Sequence, residues 1–287
     1  MITLTRGALA VCVLAAALTA ACAPARSSRE APRPAPSASS PAVPSPPTLA
    51  PGPAGLTPVF DHGPRTGGRT VALTFDADMT ADQGPRAEAG ERFDHPRLIA
   101  ALRELKVPAT VFMTGRWAEE YPDQARSIGG DPLFEVANHS YSHYAFTADC
   151  YGLPTVSGDR MRADVERAYA VFRKVGVRDP MPYFRFPGGC YDRQALKALV
   201  PAGVTAVQWD VVGADAFATD ADAVARQVLD GVRPGSVVVL HCTRSAAPAT
   251  ERAVRAIVPE LRRQGYRFVK VSELIGAERG GAPATGK

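Results

Sequence analysis

No apolar run in the chain is long enough to span a bilayer. The most hydrophobic stretch, Gly7–Ala21, has 15 residues, against roughly 20 needed. A multi-pass membrane protein is excluded. Charge of one sign is also lacking: 33 Lys and Arg against 29 Asp and Glu leave a scattered net charge of +4, so no nucleic-acid partner is expected. Cysteine is scarce, 5 in 287 residues, too few for a disulfide-built scaffold. No internal repeat is evident, which removes solenoids and propellers. What is present is a globular composition, 46% hydrophobic and 22% charged, with one anomaly. Of 26 prolines, 11 fall between Pro24 and Pro58.

The first 22 residues have the layout of an export signal, with Arg6 as the positive region and Gly7–Ala21 as the apolar one. Leu18-Thr19-Ala20-Ala21-Cys22 resembles a bacterial lipobox with Cys22 as the lipidated residue, although Thr19 stands where leucine is usual. The alternative is ordinary cleavage near Ala23 or Ala25, with Cys22 discarded. Residues 23–67 are rich in Pro, Ala and Ser, cannot bury a core, and read as a disordered linker. Extended at about 3.1 Å per residue, such a tether reaches up to ~120 Å from an anchor. The expectation is an exported monomer, anchored to the membrane at its extracytoplasmic face through Cys22, or secreted if that residue is lost. One folded domain is expected over 68–277, followed by a disordered tail, 278–287.

Within the body, short apolar runs alternate with amphipathic stretches. The runs are Thr70–Phe75, Ala109–Met113, Phe134–Ala137, Tyr183–Phe184, Thr205–Trp209, Ser236–Leu240 and Phe268–Val271. Helical periodicity marks Pro96–Leu105, Arg162–Lys174, Ala221–Leu229 and Thr250–Arg263. Alternation of this kind predicts an α/β fold, a single distorted (β/α) barrel of about seven parallel strands, either closed or incomplete. Of the three cysteines in the body, Cys150 and Cys190 lie in glycine-containing loops and are the expected pair in an oxidising compartment. Three separate small thiols are the alternative.

The chemistry lies at the strand exits. Successive runs lead into Asp76-Ala77-Asp78, into Asn138-His139-Ser140-Tyr141-Ser142-His143, into Arg185-Phe186-Pro187, into Asp210 and Asp215, and into His241. In a parallel α/β fold those ends share one face, where active sites sit. A single polar residue after a strand is usually a turn; five exits of the seven, holding three of the chain's five histidines, are not. His139 and His143 have a spacing that lets both imidazoles face one cation. If the strand alternation continues, Asp76 and Asp78 point to the same side and Ala77 away.

These segments, VALTFDAD, NHSYSH, FRFP, WDVVGAD and VVVLH, resemble in order and spacing the five motifs of the polysaccharide deacetylases, carbohydrate esterase family 4, over residues 69 to 275. The resemblance implies a metal-dependent hydrolase that removes N-acetyl groups from N-acetylglucosamine-type polysaccharide, peptidoglycan or chitin oligomers. It implies Asp76 as general base, Arg185 as the residue orienting it, His139 and His143 as metal ligands, and His241 as general acid backed by Asp215. A divalent metal is implied, zinc first, with cobalt, nickel or manganese as alternatives. The family's second aspartate is replaced by Ala77, so the metal's carboxylate falls to Asp78 or to Asp76 itself. The aromatic usual after Pro187 is Gly188, whose N–H still suits an oxyanion hole, and Ala216 replaces a tryptophan.

Tyr141 and Trp117 are candidate substrate-facing aromatics, and Tyr144 is a further one. Asp210 reads as a strand cap and Asp94 as the cap of the helix beginning near His95. His62 needs no role. Arg252, Arg255, Arg262 and Arg263 read as a solvated helix face. Two readings compete with an N-deacetylase: an O-acetyl esterase acting on a xylan-type polymer, and a catalytically impaired glycan-binding protein, suggested by Ala77, Gly188 and Ala216.

Overall fold

The computed structural model describes residues 45–281. The export signal, Cys22 and the linker as far as Pro44 lie outside them. Nine strands occur among the described residues, two more than expected: β1 Val59–Phe60, β2 Thr70–Ala77, β3 Ala109–Met113, β4 Phe134–Asn138, β5 Tyr183–Phe184, β6 Thr205–Val207, β7 Val211–Val212, β8 Ser236–His241 and β9 Arg267–Phe268. The helices are α1 Gly84–Glu88, α2 Pro96–Glu104, α3 Gly115–Glu120, α4 Pro122–Gly129, α5 Met161–Val175, α6 Arg193–Leu199, α7 Ala221–Gly231, α8 Thr250–Arg263 and α9 Val271–Gly281. Every strand pair is parallel, in the order β1-β6-β5-β4-β3-β2-β8-β7, with β9 beside the start of β2. The sheet curls into an incomplete barrel. One antiparallel bridge, His62 to Ser236, links the chain after β1 to β8.

The two extra strands are two residues each, too short for alternation to register in sequence. They also correct the expected boundaries. β1 lies inside the stretch read as linker, and Leu49 packs on the barrel's inner cluster while Tyr183 Oη donates to the Pro47 carbonyl. The stretch Thr205–Trp209 ends as a strand at Val207. Val271, assigned to a last strand, instead begins α9, which runs to Gly281 into the expected tail.

Alternation sorts the side chains into two layers. Val71, Leu73, Phe75 and Ala77 of β2, Val111 and Met113 of β3, and Val238 and Leu240 of β8 pack under the helices. Ala72, Phe112, Ala137, Tyr183, Val207 and Val237 fill the interior. α9 adds Val271, Leu274 and Ile275 to that inner cluster. Its first amides are satisfied from inside the barrel: Val271 N donates to Thr110 Oγ1 (3.0 Å) and Ser272 N to Glu135 Oε1 (3.1 Å). Glu135 also accepts from the Thr110 hydroxyl (2.7 Å), and burial raises its pKa against the hydrogen bonds from Ser272 and Thr110. Glu135→Leu should therefore destabilise the protein by about 1–3 kcal/mol, the cost of leaving a helix-end amide and a buried hydroxyl unpaired, measured by urea unfolding. An unchanged midpoint would exclude this anchoring.

Candidate active site

Strand register assembles the site. Asp76 is level with His241 on one neighbour and Phe112 on the other. One residue on, Ala77 is level with Met113, Met113 with Asn138, and Asn138 with Phe184. Asp78, His139 and Arg185, the next residues, leave the sheet side by side. Asp76 and Asp78 share the inward direction of Ala72, while Ala77 sits in the apolar layer under the helices.

Asp76 and Arg185 form a buried ion pair, Nη1 to Oδ1 at 2.6 Å. The guanidinium also donates to the Val207 carbonyl (3.1 Å) and lies 3.9 Å from the Phe112 ring centre. Burial lowers the Arg185 pKa, with the Asp76 charge opposing it. These bonds fix one carboxylate oxygen of Asp76. The other faces His139 Nε2 at 3.6 Å. His139 Nδ1 lies 2.9 Å from the Arg185 carbonyl; a carbonyl only accepts, so Nδ1 carries the hydrogen and Nε2 presents a lone pair.

His143 Nε2 lies 3.7 Å from Asp78 Oδ2, and the two imidazole centres are 5.0 Å apart. The HxxxH segment is a loop rather than a helical turn, with Ser140 and His143 in left-handed backbone (φ 69° and 56°). Hydrogen bonds hold that shape. Ser140 N donates to Asn138 Oδ1, His143 N to Ser140 Oγ, and Tyr141 N and Ser142 N to Asp164 Oδ2. Burial pushes the His143 pKa down to about 4 against the pull of Asp78. Asp78 is held below the ordinary carboxylate value: burial would raise it, but His143, His241 and the Thr243 hydroxyl outweigh that.

The donor set suits a divalent cation in kind. Two imidazoles face two carboxylate oxygens, and ligands of one tetrahedral ion at about 2.1 Å stand about 3.4 Å apart, close to both His–Asp separations. Among the described residues no three His, Cys, Asp or Glu side chains already form one cluster; the four groups stand as two pairs.

Across the sheet, His241 is 27% exposed at its side chain and Asp215 is buried. Asp215 Oδ1 lies 2.8 Å from His241 Nδ1, while Oδ2 accepts from His241 N (2.8 Å) and Thr250 Oγ1 (2.6 Å). Burial would lower the His241 pKa, but Asp215, with Asp78 and Asp76 behind it, raises it to about 9. Nε2 then carries a proton at neutral pH, and His241 is the most accessible of these groups.

Pro187, Gly188 and Gly189 form the turn after Arg185. Gly188 has φ 65°, and a Cβ there would come within 2.5 Å of Cys150 Sγ. The Cys150–Cys190 disulfide forms, with Cys242 free and buried, and it explains why no aromatic follows Pro187. Closing a loop across a separation of 40 residues stabilises by about 4 kcal/mol in the chain-entropy account. The Cys150→Ser, Cys190→Ser double variant should lose about that much in denaturant unfolding; no loss would show the bridge to be dispensable.

Other expected residues lie elsewhere. Trp117 is buried, its Nε1 donating to the Phe93 carbonyl (2.7 Å). Tyr141 is buried too, its hydroxyl donating to Glu119 and its ring covered by Arg167 at 3.4 Å. Neither faces substrate: both side chains close the core beside α3. The α2 cap is His95, whose Nδ1 accepts from Leu98 N (3.3 Å), because Asp94 is taken up by Nε and Nη2 of Arg92. Asp210 caps β8, accepting from Val237 N and Ser236 Oγ. Thr243 and Thr250, which steady Asp78 and Asp215, carried no signal in the sequence beyond proximity to His241.

A carboxylate fixed to accept a proton on one side and an imidazole poised to give one on the other is the division of labour of an acyl hydrolase, the class that fold and site define. Comparison with known proteins supplies the family. The family model described as polysaccharide deacetylase matches residues 63–207, and the chain belongs to that family. A peptidoglycan-N-acetylglucosamine deacetylase of Bacillus cereus is 30% identical over 210 residues, covering 72% of this chain and 88% of the relative. A chitooligosaccharide deacetylase of Azorhizobium caulinodans is 28% identical over 199 residues, covering 66% and 89%. A solved structure of a peptidoglycan N-acetylglucosamine deacetylase superimposes with TM-score 0.63 at 26% identity, covering 76% of this chain and 92% of that one.

Proposed function

We propose that the protein hydrolyses the N-acetyl amide of N-acetylglucosamine units in peptidoglycan or chitin-type oligomers. The observation that carries the reading is the pairing of a buried Asp76–Arg185 couple with an Asp215–His241 couple across adjacent strands. Asp76, held through Oδ1 by Arg185, takes the proton of the attacking water at its other oxygen. Gly188 N–H supports the developing oxyanion. His241 Nε2 returns a proton to the departing amine, Asp215 keeping it charged until then. His139, His143 and Asp78 would hold a divalent ion, zinc first, with cobalt, nickel or manganese as alternatives. Such an ion, when bound, polarises the acetyl carbonyl and acidifies water.

Acetate release from peptidoglycan, acetylated chitotetraose and acetylxylan, each with and without chelator, tests the reading. Release from the two amide substrates, abolished by chelator and restored by zinc, is expected; release from acetylxylan alone would replace it with an O-acetyl esterase. His143→Ala removes a direct ligand and should lower the zinc bound to the purified protein, measured by elemental analysis. Unchanged zinc content would remove His143 from the ligand set.

We also propose, from the apolar Gly7–Ala21 segment and Cys22 after it, that the enzyme acts outside the cytoplasm as a monomer, anchored through a lipidated Cys22, with the proline-rich residues before Leu49 as its tether. Labelled fatty acid incorporated by the wild type and lost in Cys22→Ser is the expected result; label retained by the variant would leave a secreted enzyme.

A further inference from the structure

Among the described residues the two most exposed large apolar side chains are Tyr151, at 87%, and Phe217, at 84%. Both stand on the face that carries the site, Tyr151 in the loop from β4 to α5 and Phe217 in the loop from β7 to α7. Both are also in left-handed backbone, with φ of 52° and 61°.

The local structure does not want either residue. Leu153 N donates to the Cys150 carbonyl at 2.9 Å, and Gly152 between them has φ 73°. Two successive positive φ values make this the primed kind of turn, in which Asn, Asp or Gly is favoured at the place Tyr151 holds. Phe217 occupies the third place of a turn closed by Ala218 N to the Asp215 carbonyl (3.1 Å), where a positive φ favours glycine. A bulky side chain is strained at such positions. Neither ring offsets the strain by burial.

Their placement supplies a reason. A Cβ on Gly188 would come within 3.3 Å of Tyr151 Cδ2, and the Cys150–Cys190 bridge fastens the neighbouring residue to the same turn. The ring therefore lies against a turn only three residues, at most about 10 Å of chain, beyond Arg185. Phe217 is two residues beyond Asp215, and its amide donates to the Ala246 carbonyl in the loop that follows His241. One ring flanks the base side and the other the acid side. A pyranose presents an apolar C–H face that stacks on an exposed aromatic, and an aromatic side chain, with few torsions to fix, loses little entropy in doing so.

We infer that Tyr151 and Phe217 are two stacking platforms for the sugars on either side of the residue being deacetylated. The inference rests on the proposed polysaccharide substrate and deepens it, since the preferred substrate becomes an oligomer of at least three sugars. The test uses Tyr151→Asn, Phe217→Asn and the double variant, asparagine being tolerant of left-handed backbone. Calorimetric binding of acetylated chitotetraose, deacetylation kinetics and thermal unfolding are measured on metal-loaded, full-length protein. Each single variant should raise Kd and KM by about tenfold, and the double by about a hundredfold, with kcat moved far less. Melting temperatures should hold or rise as the strained turns relax. A double variant that keeps wild-type Kd and KM overturns the inference, as does a fall in melting temperature with kcat lost in step. A wild type that binds the tetrasaccharide but releases no acetate overturns the catalytic reading, while Kd still decides the platforms. One that fails to bind it overturns both.

Discussion

Replacing Asp76 with Asn is expected to lower kcat/KM for deacetylation by about 10²–10⁴-fold, the usual worth of a positioned base, with a smaller loss of stability than alanine causes, because a hydrogen-bond acceptor for Arg185 remains. Asparagine keeps the shape and an oxygen for Arg185 Nη1, now 2.6 Å from the carboxylate, but cannot take up a proton. Alanine at the same position is expected to do more. Arg185 is fully buried, and without its partner it would be an unpaired interior charge, which costs about 3–5 kcal/mol. Steady-state kinetics and denaturant unfolding on both variants separate the two effects. Turnover near wild type in Asp76→Asn would end the case for this base; equal unfolding midpoints for Asn and Ala would show that Arg185 finds other compensation.

Loss of His241 should be of similar size, and it depends on the leaving group. An amine leaves poorly unless protonated, whereas an alkoxide from an O-acetyl ester leaves more readily, so His241→Ala should cost about 10²–10⁴-fold on N-acetyl substrates and clearly less on acetylxylan. Equal losses on both would argue against an acid role. The pH profile gives a second measurement. Burial would lower the His241 pKa, but Asp215 and the Asp78 and Asp76 charges raise it to about 9, so activity should hold to that point and fall as pH rises through it. Asp215→Asn keeps an acceptor for Nδ1 and removes the charge. The alkaline limb should then move down toward the ordinary imidazole value of about 6.5; a limb that stays in place would assign it to another group. Stability follows the same sign. Because the folded pKa is the raised one, the His241–Asp215 link contributes fully below about pH 6.5 and its contribution is lost as pH rises through about 9.

The residues of the candidate site were legible because parallel strands deliver their C-terminal ends to one face, so polar residues after apolar runs point to that face without any knowledge of packing. Asp76, His139, Arg185, Asp215 and His241 all followed from that rule, and the inward direction of Asp78 followed from alternation along β2. Aromatic residues were not legible in the same way. Trp117 and Tyr141 follow strand ends as the site residues do, yet α3 folds straight back onto the sheet and seals both in the core, with Gly115 passing 2.5 Å from the Tyr141 ring at its Cβ position. Tyr151 and Phe217 looked like ordinary loop residues, since exposure and backbone sign belong to the folded chain.

By itself the sequence determined the α/β alternation, the helical faces, the family and the identity of the polar groups at the strand exits, because each of these is written in local periodicity and order. The tertiary structure decided which partner each group has. Register places Asp76 level with His241, the fold brings Arg185 across to close on Asp76, and α8 delivers Thr250 to the far side of Asp215. It also decided that residues from Leu49 onward in the proline-rich stretch join the barrel and that nine strands among the described residues, rather than about seven, build it. Two-residue strands and contacts between distant segments have no local signature, since the hydrogen bonds and burial that stabilise them come from residues far away in the chain.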